Sequence, residues 1–332
     1  MRLPACVLLV CSLLAASFAS SAQSSALRLV STAWPPFTNP PGQPRFALDL
    51  VEGALGRIGR SGQTSIVEPA RFNAALLGGE FDGSAAAWKD AERERAMLYS
   101  APYLENRLIL VGRSGADVSA TSLGALSGKR IAIVEGYAYG DALNLSGATL
   151  VRSRSEEDSL TLLLANKTDY TLMDELVVQY ILNNHPNEAK TRLSLGTKPL
   201  VTRPLYFAVK RTRPDAESII TGFNAQLRAM IVDRTYHRLL HVGWITADVD
   251  GDGVAEFVPA SDRSGTAEPQ RAYALFTDAN EKAASPTPKK SGFYVGGNIN
   301  SDWASVPNRY KVEDPQWPDA SRSTASIFRF TW

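Results

Sequence analysis

The stretch Asp82–Tyr103, DGSAAAWKDAERERAMLYSAPY, decides the reading of this chain. Ser84–Ala87 is small, apolar and strand-like, and AERER at Ala91–Arg95 then opens a short helix. Arg93 therefore stands just past the C-terminal end of a strand, where open α/β sheets collect ligands. A solvated helix charge, paired with Asp90 or Glu92, is the plainer reading of the same residue. Upstream, Ala33–Phe37 reads AWPPF. Its two prolines forbid a helix and force an extended or turned backbone, which brings Trp34 to a rim. Trp88, just before the Arg93 turn, has a similar claim. A fixed guanidinium and an aromatic wall suit a small molecule bearing a carboxylate.

Around that stretch, short apolar runs alternate with amphipathic ones from Ala26 to about Val242. Strands are expected at Leu27–Ser31, Arg107–Gly112, Lys129–Val134, Asp169–Met173 and Leu205–Lys210. Helices are expected at Phe46–Ile58, Ser155–Ala165, Glu175–Asn183, Asp215–Val232 and Tyr236–Val242. In the first helix Phe46, Leu50, Val51, Ala54, Leu55 and Ile58 share a face. The alternation predicts an α/β fold with mostly parallel sheets.

The ends are different. Arg2, the apolar run Cys6–Ala16 and the small residues Ala19–Ala22 read as a secretory signal peptide, residues 1–22. The run is too short for a transmembrane anchor. Both cysteines, Cys6 and Cys11, fall within it, so no disulfide is expected in the exported chain. The chain has 35 basic and 34 acidic residues, and loss of the leader leaves the two signs equal. That balance gives no footprint for nucleic acid or an anionic membrane. Three histidines and four methionines do not suggest a transition-metal site. About 310 residues remain, which suggests two domains or more.

Composition shifts at about Ala247, and residues 247–332 form a C-terminal extension rich in aromatics, expected as β or irregular structure. Thr277–Gly292 reads as a linker, and the alternation at Ser326–Trp332 as a last strand packing onto a lobe. The sharpest local motif is Asp248-Val-Asp250-Gly-Asp252-Gly253-Val254-Ala-Glu256, in the loop 248–259. Acids at alternate positions with glycines between them gather oxygens around one hard cation. Position 12 is Pro259, where an EF-hand has glutamate, so the motif is closer to single calcium loops between strands. The expected ligands are Asp248, Asp250, Asp252, Val254 and Glu256, and the ion would be structural, with no cofactor needed for activity. A solvated surface loop is the plainer reading.

Two further places could meet a ligand. Gly136-Tyr137-Ala138-Tyr139-Gly140 follows the strand at Arg130–Val134, where glycine lets backbone N–H groups approach an anion. No phosphate-loop lysine follows it, so a nucleotide site is rejected. Asp174 ends one strand and opens a helix, which makes it an N-cap and also a carboxylate facing out of a sheet edge. No Ser, Cys or His constellation for nucleophilic catalysis is visible.

With these residues in view, the chain resembles extracytoplasmic solute-binding proteins of family 3, the periplasmic amino-acid-binding proteins of ABC importers. The resemblance covers about Leu27–Trp244. It rests on Trp34-Pro-Pro-Phe37, Phe46-Ala-Leu-Asp49-Leu50, Asp82-Gly83, Glu92-Arg93, Tyr99-Ser-Ala-Pro-Tyr103, Leu126-Ser-Gly-Lys-Arg-Ile131, Asp169 and Asp174-Glu175-Leu176. It implies a type II fold of two lobes: one of residues 27–113 with 205–246, the other of 114–204, closing on a solute. It implies that Arg93 holds a ligand carboxylate, Asp174 its ammonium, and Trp34 its body, with Gly136 and Tyr137 contributing from the second lobe. It also implies a periplasmic monomer that hands its solute to a membrane permease and is not an enzyme. Asp90 departs from the family, which has a small hydroxyl residue there. An acid beside Arg93 competes for the guanidinium, favouring a ligand with an extra amine, or a site that has lost its amino acid. Two other roles stay open: a sensor or assembly module, and a cyclohexadienyl-dehydratase-like enzyme with Glu175 or Glu135 as general acid.

Overall fold

The computed structural model describes residues 26–184, 186–240, 242–269, 272–274 and 291–316. The expected signal peptide, most of the expected linker and the closing alternation at 326–332 lie outside the described residues.

The first lobe begins with β1 (Leu27–Thr32), α1 (Phe46–Arg57) and β2 (Gly62–Val67), then α2 (Pro69–Leu77) and β3 (Gly83–Ala87). β1 pairs in parallel with β2 on one side and β3 on the other. The expected face of α1 is buried at Phe46, Leu50, Val51, Ala54 and Leu55. Each of the larger side chains, Phe46, Leu50, Val51 and Leu55, contributes roughly 1.5–3 kcal/mol of transfer free energy. β2 and α2 were not expected. β2 is the sheet edge, and its polar run GQTSIV is only half covered, so it lacks the apolar signal of a central strand.

α3 (Ala91–Ala96) and β4 (Met97–Tyr99) lead into β5 (Leu104–Arg113), which crosses to the second lobe. That lobe holds β6 (Arg130–Val134), α4 (Asp141–Asn144), β7 (Thr149–Ser153), α5 (Glu156–Leu164), β8 (Tyr170–Asp174), α6 (Glu175–Asn184) and α7 (Pro186–Arg192). β6 pairs in parallel with β7 and β8. The chain returns along β9 (Leu193–Lys210), antiparallel to β5 over most of its length, then to β3 and β4. Strand order is β2-β1-β3-β9-β5-β8-β6-β7. The outer pairings are parallel, and the antiparallel ones arise where β5 and β9 pass between the lobes. β9 is far longer than the expected Leu205–Lys210. The part before Leu205 carries Pro199, Pro204 and the exposed run Thr197–Pro199, so nothing in the apolar pattern marks it. α8 (Ala216–Val232) and α9 (Thr235–Leu240) close the first lobe.

A second, five-stranded sheet follows, of β10 (Trp244–Ala247), β11 (Glu256–Pro259), β12 (Tyr273–Ala274), β13 (Phe293–Val295) and β14 (Asn298–Asn300). It takes in Trp244–Ala247, just ahead of the composition shift. Trp244, Phe293, Val295 and Val306 form its core, with Trp303 and Tyr310 packed against them. Side chains of α9 and of the crossing strand help to fasten it to the lobes. His237 Nε2, on α9, lies 3.1 Å from Val258 O, and burial drives this imidazole down to about 3. The Tyr273 hydroxyl donates to Glu105 O on the crossing strand β5, and the Arg107 guanidinium covers the Tyr273 ring at 4.6 Å.

Candidate functional site

The C-terminal ends of β1, β3 and β6 converge between the lobes. After β1 the chain folds back at once: Trp34 N donates to Thr38 O at 2.8 Å, and Phe37 N to Trp34 O at 2.8 Å. Thr38 Oγ1 donates to Thr32 O at 2.6 Å. This turn sets the Trp34 indole against Phe37, ring centres 4.3 Å apart. Trp88 follows β3, and its Nε1 donates to Asn106 Oδ1 at 2.8 Å. Tyr137 and Tyr139 follow β6. Trp34, Trp88 and Tyr137 lie 5.3–5.7 Å apart, and Trp88 is 5.7 Å from Tyr139. These tilted, edge-on arrangements are the favourable ones for aromatic rings. Trp34 and Trp88 are 6% and 5% exposed. The cavity left between Trp34, Trp88, Arg93, Gly136 and Tyr137 is about 30 Å³, room for a water or two. The lobes are closed on each other, with rings filling the cleft.

Arg93 is 2% exposed and its donors are largely taken by the protein. Asp90 caps α3, accepting from Glu92 N at 3.0 Å and Arg93 N at 2.8 Å, and its other oxygen lies 3.1 Å from Arg93 Nε. Arg93 Nε donates to Asn73 Oδ1 at 3.0 Å, Nη1 to Trp88 O at 3.0 Å, and Nη2 to Asn73 Oδ1 and to Gly136 O at 2.9 Å. Burial lowers its pKa, opposed by the Asp90 charge. The competition expected from Asp90 is present, and Asn73 adds to it. Nothing in the sequence singled out Asn73, a mid-helix residue of α2. The bond to Gly136 O joins the lobes. Gly136 has φ +79°, and a Cβ there would fall 2.5 Å from Pro69 O of the first lobe, so only glycine permits this approach.

Asp174 stands apart from that cavity. Its oxygens accept from Leu176 N at 2.7 Å, Asn106 Nδ2 at 3.1 Å and Arg107 N at 3.0 Å. It caps α6 and ties it to β5, and it reaches the aromatic wall only through Asn106 and Trp88. Burial raises its carboxyl to about 7. A second acid, missed in the sequence, lies closer. Glu156, in the first turn of α5, faces the Trp34 indole. Its carboxylate and Trp34 Nε1 are both buried, and neither the indole nitrogen nor Oε2 finds a further partner among the described residues. Burial first, and the Asp174 charge second, push Glu156 up to about 8. Of the acids weighed for catalysis, Glu135 is exposed, and Glu175 faces Arg107 Nη1 on the crossing strand at 3.9 Å. Neither lines the cavity.

The Asp-rich loop joins β10 to β11. Carboxylate oxygens of Asp248, Asp250 and Glu256 lie within 4.8 Å of one another. Asp248 accepts from Gly251 N at 2.6 Å and Gly253 N at 2.9 Å, turns that need the positive φ of both glycines. Glu256 is buried, and burial followed by its aspartate neighbours raises its pKa. The donor set suits a hard cation. Asp252 falls outside this trio, its Oδ1 accepting from Val254 N at 2.8 Å.

No family model matches the chain, and no curated protein matches it. Solved structures do. An ancestral arginine-binding protein bound to arginine is 21% identical over 66% of this chain and 98% of its own, with a TM-score of 0.57. The GluR0 ligand-binding core in complex with L-glutamate is 19% identical over 65% and 98%, TM-score 0.56. An arginine transport-system periplasmic binding protein from Legionella pneumophila is 22% identical over 64% and 97%, TM-score 0.54. The chain thus has the two-lobed fold of type II periplasmic binding proteins, with a further sheet beyond it. No helix among the described residues is long and apolar enough to cross a membrane.

Proposed function

We propose that this protein is an extracytoplasmic solute-binding protein, which captures a small polar solute between its lobes and presents it to a membrane ABC permease. One observation carries the reading: strand ends from both lobes converge on a single aromatic-lined cleft, bridged by the two crossings β5 and β9. The amino-acid-binding proteins that share the fold support it. The solute enters after the lobes part, and their closure buries it. Arg93 serves chiefly to hold Asn73, Trp88 and Gly136. Thermal unfolding of the exported chain across amino acids, polyamines, dicarboxylates and cyclic acids tests this. A ligand at a hundred times its Kd adds about 2.7 kcal/mol, a rise of several degrees. No rise with any compound would move the reading to a sensor or assembly module. The grip of Tyr273 on the crossing strand favours that second role, because a partner bound to the C-terminal sheet would act directly on the hinge. The loop around Asp248, Asp250 and Glu256 is proposed to hold a structural calcium ion.

A further inference from the structure

The cleft has a second opening, on the far side of the Tyr137–Tyr139 wall from the Arg93 cavity. Its volume is about 360 Å³, within the range of small-ligand sites. Both lobes line it: Lys89 and Asp90 from the first, Tyr137, Tyr139 and Gly140 from the second, and Arg203 from β9.

Arg203 sits opposite Asn106 in the register of the two crossings. One guanidinium nitrogen, Nη2, donates to Lys89 O. Its Nε is buried with no partner among the described residues. A buried donor left unmet is unfavourable, and more so when it is charged. Nη1 lies just beyond Gly140, 3.3 Å from where a Cβ would stand, so the missing side chain leaves that end of the guanidinium uncovered.

The charges around this opening do not cancel. Asp90, which also caps α3 and pairs with Arg93, and Asp141 both act on Arg203, and these two acids stand against Lys89, Arg152 and Arg203. Lys89 lies over the Tyr206 ring at 4.2 Å, and Arg152 is exposed at the mouth. Low-dielectric walls lined by an excess of one sign concentrate counter-ions of the other.

We infer that the solute of this cleft is a small organic carboxylate, held by Arg203 in the opening beside Tyr139, rather than by Arg93. The inference rests on the solute-binding reading and names the solute class and the residue that selects it. Planar guanidinium donors match a carboxylate, the tyrosine faces cover the solute's carbon skeleton, and the position on a crossing strand couples its capture to closure.

Calorimetric titration of the full exported chain with succinate, L-glutamate, L-glutamine and putrescine tests it. The expected result is binding of succinate or L-glutamate, weakened at least tenfold by Arg203→Met and severalfold by Arg152→Glu, with unchanged far-ultraviolet dichroism. Arg152 is exposed, so its variant keeps the test alive should Arg203→Met not fold. Carboxylate binding that survives both variants would overturn the assignment to Arg203. Binding of putrescine or glutamine without either anion would overturn the solute class and leave the solute-binding function standing. Binding of none of the four would count against both.

Discussion

Replacing Arg93 with methionine separates a structural arginine from a ligand-holding one. In a cleft arginine waiting for a carboxylate, the change costs affinity and leaves the empty protein almost as stable as before. Here the side chain is 2% exposed and donates to three acceptors of the protein itself, Asn73 Oδ1, Trp88 O and Gly136 O. A hydrogen bond from a charged donor contributes about 1.5–3 kcal/mol, and an acceptor stranded without one costs a comparable amount. The three share one side chain and do not add fully. Asp90 is about one-third exposed and regains water, so its loss of the ion pair costs at most ~1 kcal/mol. Methionine fills part of the space and no longer carries a charge to be desolvated. The net cost is about 3–5 kcal/mol, near the range for removing one partner from a buried pair. At roughly 2 °C per kcal/mol for a chain of this size, the solute-free Tm falls by about 6–10 °C. Scanning calorimetry of the solute-free protein measures it, with Arg93→Lys as a companion that keeps the charge and loses the planar fork. A Tm within about 1 °C of wild type would refute the argument, and would return Arg93 to the role of ligand anchor.

Gly136→Ala should part the lobes. Its Cβ meets Pro69 O, a backbone atom that no rotamer change can move, and φ +79° costs a further ~1–2 kcal/mol. Small-angle scattering should show a larger radius of gyration, and an unchanged profile with unchanged Tm would contradict the close approach. Glu156 has its folded pKa raised from 4.5 to about 8 by burial, so the native state holds a proton that the unfolded state releases. Its contribution is full below pH 4.5 and lost as pH rises through 8. Glu156→Gln should therefore flatten the fall of Tm between pH 5 and 8; an identical slope would count against a buried, protonated Glu156. Calcium should raise Tm relative to chelator, and Asp250→Asn should remove most of that rise. An equal rise in both proteins would dissociate the ion from the β10–β11 loop.

The parts of this fold that the sequence announces are those where local and global demands agree. α1 combines an apolar face with burial against the sheet, and Ser155 accepts from Asp158 N at 3.1 Å at the start of α5, as its spacing predicts. β2 and the first half of β9 are silent because they are half-covered or carry prolines, and only their neighbours make them strands. The site divides in the same way. Trp34, Trp88, Arg93, Gly136 and Tyr137 meet because each follows a recognisable strand. Asn73, Glu156 and Arg203 were missed. Each is a polar residue in an unremarkable local pattern, and its meaning depends on which strand end it faces across the cleft.

Asn106 shows how tightly the hinge and the cleft are joined. Its Oδ1 accepts from Trp88 Nε1 and its Nδ2 donates to Asp174, so one side chain on β5 spans the aromatic wall and the start of α6. The next residue toward the N-terminus, Glu105, has its carbonyl held by Tyr273 from the C-terminal sheet, and the next toward the C-terminus, Arg107, covers that tyrosine's ring. Three successive residues of one crossing strand thus carry contacts from the first lobe, the second lobe and the added sheet. A rotation of the lobes about β5 has to break or carry along the Tyr273 contact. The added sheet is therefore part of the closing equilibrium, because any preference of Tyr273 for one lobe arrangement shifts the population of that arrangement by the same free energy.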